Sequence, residues 1–509
     1  MTSEWDVVVV GAGSAGCALA ARLADAGRWV LLLEAGTDHA RPEDFPADLR
    51  DAAVLAATVP GHPANWAFTT ELLPGTTAAL PRGRVVGGSS AVNGGYFVRA
   101  TPADHAGWAA AGNDLWSLEA TLPAWRRLED DRQYGDRPGH GRGGPVPVTR
   151  PAGSSPLTEA LAAAAAELGF PDEPDKNAGG PPGYGPLPLT VDGGVRVNTA
   201  MAYLTPRRGS PSLTVRGGVR VRRVLVEHGR AVGVDTDAGP VRAAEVVLSA
   251  GAVGSAHLLL LSGIGPAADL RAHGLDVVAD LPGVGAGLSD HPLVYLPWVP
   301  VPGLSAGDWR LPLHGSLDAT SSDSPVPGDL EILPWLRPWG RVVPGGGGDE
   351  GTLSLAAGLF REESRGQLTL ASADPAAAPR VAHGYLATAA DRRRLREAVR
   401  LAAALLRTRA LAPLVAASLG PGDDVLADDA ALDRWVRGSL ATAQHLAGSA
   451  RMGPDGDPGA VVDQRLRVRG VEGLRVADTS VLPEVPSRGP AATAVMVGER
   501  AAELLTGCD

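Results

Sequence analysis

The apolar positions of this chain fall into two kinds of run. Short unbroken ones, Val7 to Val10 and Val30 to Leu33, suit strands buried on both faces of a parallel sheet. Between them, Ser14 to Ala26 has the length of a helix, and Gly27 stops it. Farther on, Leu213 to Val226 alternates enough for a strand pair, and Ala231 to Val234 and Ala244 to Ser249 read as further strands. The last of these ends in Ala250-Gly251-Ala252, a small-residue turn into a helix reaching Ser262-Gly263-Ile264-Gly265. Ser155-Pro156 opens another helix with a cap and a first-turn proline, and Gly169 ends it. Asp391 to Leu406 carries Leu395, Val399, Ala402 and Leu406 on one stripe, so Arg392, Arg393 and Arg394 read as its solvated face rather than an anion site. A final helix covers about Ala491 to Leu505. Thr37 to Leu80 reads as loop-rich, and the stretch from 295 is marked by Trp298, Trp309, Trp335 and Trp339.

The chemistry begins in the first turn. Gly11, Gly13 and Gly16 form G-x-G-x-x-G between a strand and a helix, which permits a tight turn, close approach of backbone to a pyrophosphate, and close packing of helix on strand. The helix aims its free N–H groups and positive dipole end at that phosphate. Glu34, at the end of the second strand, is placed to accept from ribose hydroxyls and would repel a 2′-phosphate. An adenine dinucleotide other than NADP is expected; the unit alone does not separate NAD from FAD. A second glycine cluster runs from Gly83 to Ala100, where Gly87-Gly88 and Gly94-Gly95 bracket Ser89, Ser90 and Asn93. Residues this small let a backbone lie against something flat.

Composition narrows the partners. A chain of 509 residues is expected to form two interlocked lobes. A formal charge of −11 argues against nucleic acid. No apolar run of about 18 residues exists to cross a bilayer, and the start, Met1 to Asp6, has no signal core. A cytoplasmic location is expected, with peripheral attachment at the inner face of the membrane as a second option. Cys17 and Cys508 make neither a disulfide framework nor a metal cluster, and no metal is expected. Only one of the 46 basic residues is a lysine, Lys176.

With both glycine segments, Val98-Arg99, Asp104, Trp108, Gly112-Asn113 and Trp116-Ser117 in view, the chain resembles the glucose-methanol-choline (GMC) flavoprotein oxidoreductases. The match recurs at Ala250, at Leu281 to His291, at Gln444-His445-Leu446-Ala447-Gly448-Ser449 and at Asp478-Thr479-Ser480. The resemblance implies an α/β fold: a Rossmann-like FAD-binding domain (1–100, 196–294 and 453–509) interleaved with an α+β substrate domain (101–195 and 295–452) whose antiparallel sheet roofs the cavity. Ser364-Arg365-Gly366, Leu368 to Leu370 and Asp374-Pro375 resemble part of that roof. It implies FAD contacts from Gly11, Gly13, Ser14, Ala15, Gly16, Glu34, Ala35, Trp66, Val86, Ser90, Asn93, Gly94, Val221, Ala250, Gly251, Asp478, Thr479 and Ala492. The FAD is noncovalent, because the histidine that attaches it in some members falls at Val92.

The resemblance also implies that His445 faces the flavin and acts as base while an alcohol gives up a hydride, a role suited to imidazole. Asp290-His291 reads as structural. One departure stands out: the family's second catalytic residue, an asparagine or histidine, falls at Gly489. His445 could act alone, or Ser487, Arg488 or Gln444 could supply the missing contact. The forms Gln-His-x-x-Gly-Ser and Arg-Gly-Pro-Ala-Ala-Thr resemble the mycofactocin-associated branch, which would make the substrate a reduced redox cofactor rather than a simple alcohol. A hydroxynitrile lyase and a flavin-binding protein without catalysis are the alternatives. Oxygen, a quinone or a carrier as electron acceptor is left open.

Overall fold

A strand with no solvent-facing side must be apolar throughout, and Val7, Val8 and Val9 lose all their exposed surface. The computed structural model describes residues 5–304 and 310–507. Trp309, Cys508 and the segment Met1 to Glu4, all invoked above, lie outside the described residues. β1 (Trp5–Val10), α1 (Ser14–Asp25) and β2 (Val30–Leu33) form the expected strand-turn-helix-strand unit. It sits in a seven-stranded sheet with β3 (Leu213–Arg216), β4 (Val221–Glu227), β5 (Arg230–Thr236) and β6 (Val241–Leu248), in the order β3-β2-β1-β6-β5-β4, and Leu474–Val476 joins beside β6. β3, β2, β1 and β6 run parallel, whereas β6, β5 and β4 are antiparallel. The expected strand pair within Leu213 to Val226 is thus corrected. Both strands exist, but β3 and β4 lie at opposite edges of the sheet, because Gly218 and Val219 bond to Gly36 and Glu34 and carry the chain across.

α2 (Gly251–Leu261) leaves the end of β6. A second seven-stranded sheet is built on β7 (Pro292–Pro300), β8 (Gly315–Ala319), β9 (Leu330–Trp335) and β10 (Leu353–Leu359), with Val415–Ser418, Leu440–Thr442 and Tyr184–Pro186 at its margins. The period of two sorts its faces. Val294, Leu296, Ile332, Leu355 and Ala357 share a core with Leu395, Val399 and Ala402 of α3 (Ala389–Leu405). The residues between them, Leu293 and Tyr295, Glu331 and Leu333, Ala356 and Gly358, look into a cavity. This sheet is the roof.

Leu368 to Leu370 do not belong to that roof. Gly366–Thr369 is a strand of a separate five-stranded sheet with 286–288, 380–382, 68–73 and 76–80; the loop behind it reaches the cavity at Pro375, Ala376, Ala378 and Pro379, as does Phe68 of the same sheet. The stretch Thr37 to Leu80 therefore holds a hairpin, Phe68–Leu73 with Thr76–Leu80, turned at Gly75 with φ +78°. The arginine run on α3 is not uniformly solvated either: Arg394 is buried and, with Arg393, clamps Asp323. The last helix, α4 (Ala491–Thr506), lies on α1, and Gly498 sits there because a Cβ would strike the Ala15 backbone.

Candidate active site

The first turn folds as its spacing demands. Gly11 has φ +99°, and a Cβ on it would come within 2.6 Å of the Ser249 carbonyl oxygen. A Cβ on Gly16 would collide with the Gly11 carbonyl, so the helix can start this close to the strand only with glycine there. Glu34 is buried; its Oε2 accepts from the Ala12 N–H (3.0 Å) and its Oε1 from the Gly36 N–H (2.8 Å). Burial pushes the carboxyl up to about 7 despite these two bonds and nearby Arg84. The second glycine segment closes directly on the first: Gly88, at φ +53°, would carry its Cβ 2.6 Å from the Gly13 Cα. Asp478 draws in a third segment, accepting from the Gly251 N–H (2.9 Å) and Ser255 Oγ (2.5 Å) through one oxygen and from the Ser480 N–H (2.8 Å) through the other.

These segments line one end of a cavity of about 650 Å³ whose other end lies under the roof sheet. Of the expected residues, Gly11, Gly13, Ser14, Ala15, Glu34, Ala35, Trp66, Ser90, Asn93, Gly94, Val221, Ala250, Gly251, Asp478, Thr479 and His445 all border it. Gly16, Val86 and Ala492 do not. Gly16 is turned against Gly11, while Val86 and Ala492 are wholly buried in the core behind the lining, which at α4 consists of Pro490, Ala491 and Ala494. Val92 borders the cavity and offers no nucleophile for a covalent link.

His445 is placed by its neighbours. Gln444 adopts φ +64°, uncommon for a residue with a side chain, and its carbonyl accepts from Arg82 Nη2 (2.9 Å). Asp290 accepts from the His445 N–H (2.5 Å) and the His291 N–H (2.9 Å), and its second oxygen takes Thr442 Oγ1 (2.6 Å) and the Tyr385 hydroxyl (2.8 Å). Asp290 thus organises the loop, as the sequence reading held. His291 does more than expected: its Nδ1 lies 2.9 Å from Nδ1 of His445, with the rings at 85°, while its own ring stacks on Phe360. Burial holds His445 down to about 4, Asp290 opposing and Arg82 adding to the effect. Burial, with His445 and Arg488, holds His291 well below the usual imidazole range. Both rings are neutral at neutral pH.

Gly489 faces this pair. A Cβ built on it would lie 3.2 Å from His445 Nε2 and 3.1 Å from the Tyr96 ring. Of the three stand-ins considered, Ser487 gives its hydroxyl to Asp104 (2.6 Å), and Arg488 bonds the Gly328 carbonyl (2.8 Å) and Asp318 (3.0 Å). Neither borders the cavity; Gln444 does. Tyr96, Glu331, Tyr295 and Phe360 also border it, unmarked by sequence reasoning, as does Trp335, which the sequence marked only by its type. Tyr96 carried one signal, its place three residues after Asn93 in the glycine-rich segment. Among the described residues, Glu129, Asp131 and His140 bring ligand atoms within 4.8 Å of one another, but Arg99 and Arg150 already pair with them.

A dinucleotide cradle that opens, within one cavity, onto a neutral buried imidazole is the layout of a flavin-dependent oxidoreductase. The GMC oxidoreductase N-terminal model matches residues 5–293 and the C-terminal model residues 362–498. The chain is 40% identical to the GMC-type oxidoreductase of the thcA 5′ region of Rhodococcus erythropolis, covering 99% of this chain and 98% of that one. It is 36% identical to an oxygen-dependent choline dehydrogenase of Vibrio vulnificus, covering 99% and 95%. The structure superposes on pyridoxine 4-oxidase from Mesorbium loti with a TM-score of 0.89 at 31% identity, covering 98% and 99%. The chain belongs to the GMC oxidoreductase family, and it is an FAD-dependent enzyme acting on the CH–OH group of its donor.

Proposed function

We propose that the protein oxidises a small alcohol bearing an apolar or aromatic body, with His445 as the base. The observation that carries this is the shared cavity: Gly11, Asn93 and His445 border the same space, and Leu293, Tyr295, Leu333, Trp335 and Phe360 give it an apolar and aromatic wall. Gly11, Gly13, Ser14 and Ala15 would hold the pyrophosphate of FAD, Glu34 and Val221 its adenosine end, and Asn93, Gly94, Ala250, Thr479 and the start of α4 its ring system, without a covalent link at Val92. Bound there, FAD supplies the acceptor for the hydride from the carbinol carbon.

The histidine pair sets the state of the base. Two neutral imidazoles with Nδ1 atoms 2.9 Å apart need one N–H and one lone pair between them. When His445 donates, its Nε2 lone pair faces the space beside Gly489 and can take the hydroxyl proton; when His291 donates, Nε2 carries a hydrogen and cannot. In the first arrangement His291 is the positioning residue that leaves Nε2 free to act as base. The Gln-His-x-x-Gly-Ser and Arg-Gly-Pro-Ala-Ala-Thr forms of the two motifs support reduced mycofactocin as a finer candidate for the donor. Relatives named for choline and pyridoxine supply the simpler ones. The test is to purify the flavin-loaded protein and add choline, pyridoxine, aryl and aliphatic alcohols and reduced mycofactocin anaerobically. Bleaching of the flavin band by at least one is expected; a band that none of them bleaches rejects the reading.

A further inference from the structure

Taking the hydroxyl proton onto His445 leaves negative charge growing on the substrate oxygen as the hydride departs, and such charge is held best by a second, preorganised donor. Residue 489 has no side chain to give one. The Tyr96 ring borders the space beside Nε2, its Cδ1 and Cε1 each 3.1 Å from the position a Cβ at 489 would fill. Its hydroxyl donates to Glu331 Oε2 (2.8 Å), and both side chains border the cavity. We propose that Tyr96, backed by Glu331, is the second hydrogen-bond donor to the substrate oxygen. The proposal rests on His445 being the base that faces an alcohol.

The surroundings of Glu331 bear on how this works. Arg488 from the segment before α4 pairs with Asp318 of β8 (3.0 Å), and Lys176 pairs with Asp318 (2.9 Å) and Glu173 (2.8 Å). Two cations and two carboxylates balance, so an ionised Glu331 would add an uncompensated charge in a buried place. Burial and Asp318 push it up to about 7, with Tyr96, Arg488 and Lys176 opposing. Burial and Glu331 hold the Tyr96 phenol well above its ordinary value, so it stays a donor. With Glu331 ionised, the phenolic proton is committed to the carboxylate. With Glu331 protonated, its own proton can go to the Tyr96 oxygen, and the phenol is free to donate into the cavity. Passing from the first arrangement to the second takes up one proton and removes the carboxylate's charge.

The probe is 2,4-dinitrophenolate, an oxyanion that is not oxidisable as an alcohol, titrated calorimetrically into the FAD-loaded protein. In the wild type its affinity is expected to fall as pH rises through about 7. Tyr96→Phe should weaken binding roughly tenfold or more at low pH and lower kcat on the order of 10² with the flavin band intact. Glu331→Gln should remove the pH dependence. Tyr96→Ala should resemble Tyr96→Phe, and Tyr96→Ala/Gly489→Asn, which puts an amide into the vacated space, should recover affinity over Tyr96→Ala. Wild-type binding and kcat in Tyr96→Phe, or an unchanged pH dependence in Glu331→Gln, would overturn the proposal. If no alcohol turns over while the anion pattern holds, the oxyanion site stands and the alcohol reading falls.

Discussion

A single atom decides several positions in this protein. Gly88 combines a left-handed backbone with a neighbour 2.6 Å from where a Cβ would be. Gly88→Ala should therefore add strain of about 1–3 kcal/mol and push the two glycine segments apart. The expected result is protein that purifies with little visible flavin absorbance and a lowered Tm. His445→Ala touches no part of the phosphate cradle, so flavin should be retained while kcat falls by roughly 10² to 10⁴. Because the imidazole is held down to about 4, its neutral, basic form persists above that value. The acid limb of kcat/KM should appear near pH 4 and not near the ordinary histidine value, which a pH–rate profile reads directly. Glycines and the histidine were legible because their meaning is local: spacing within a turn, or a residue inside a motif. The contacts His291–His445 and Tyr96–Glu331 join positions 154 and 235 residues apart, and nothing in a single chain marks such a pairing.

Among the elements, legibility followed the number of buried faces. α3 has one apolar stripe and a capping threonine, while α1 and α4, buried on most sides, begin at a glycine turn and after a proline; all three lie within a few residues of their expected bounds. β9 reads Leu-Glu-Ile-Leu-Pro-Trp; one side packs on α3 and the other lines an aromatic cavity, so apolar residues occupy both faces and no period of two survives. Gly366–Thr369 looked like roof for a related reason, since strand composition does not say which sheet a strand joins. The packing of α4 on α1 carries its own prediction. Glu499 is fully buried in α4 and accepts from Arg22 Nε (3.0 Å), Arg127 Nε (2.7 Å) and the Tyr203 hydroxyl (2.7 Å). Glu499→Ala should cost about 3 kcal/mol, the low end for breaking a buried ion pair because both arginines reach solvent. A urea titration measures it.

Across the whole molecule, two sets of buried charges balance within themselves. Glu129, Asp131 and Asp175 face Arg99, Arg150 and His140. Burial alone would lower His140, but bonds to Asp131, Asp175 and Glu129 carry it up to about 10. A histidine raised in this way stabilises the fold fully below its unfolded value of about 6.5, and that contribution is lost as pH rises toward 10. His140→Leu should cost roughly 3–5 kcal/mol near pH 6, and the gap from wild type should shrink as the denaturation series moves to alkaline pH.

The other balanced group contains the chain's one lysine, Lys176, whose side chain is completely covered and tied to Glu173 and Asp318. Its amine cannot reach an acylating reagent while the surrounding ion group stays shut. Acetylation by N-hydroxysuccinimide ester, read as a single mass increment beyond the α-amine, therefore times the opening of the very cluster that neighbours Glu331.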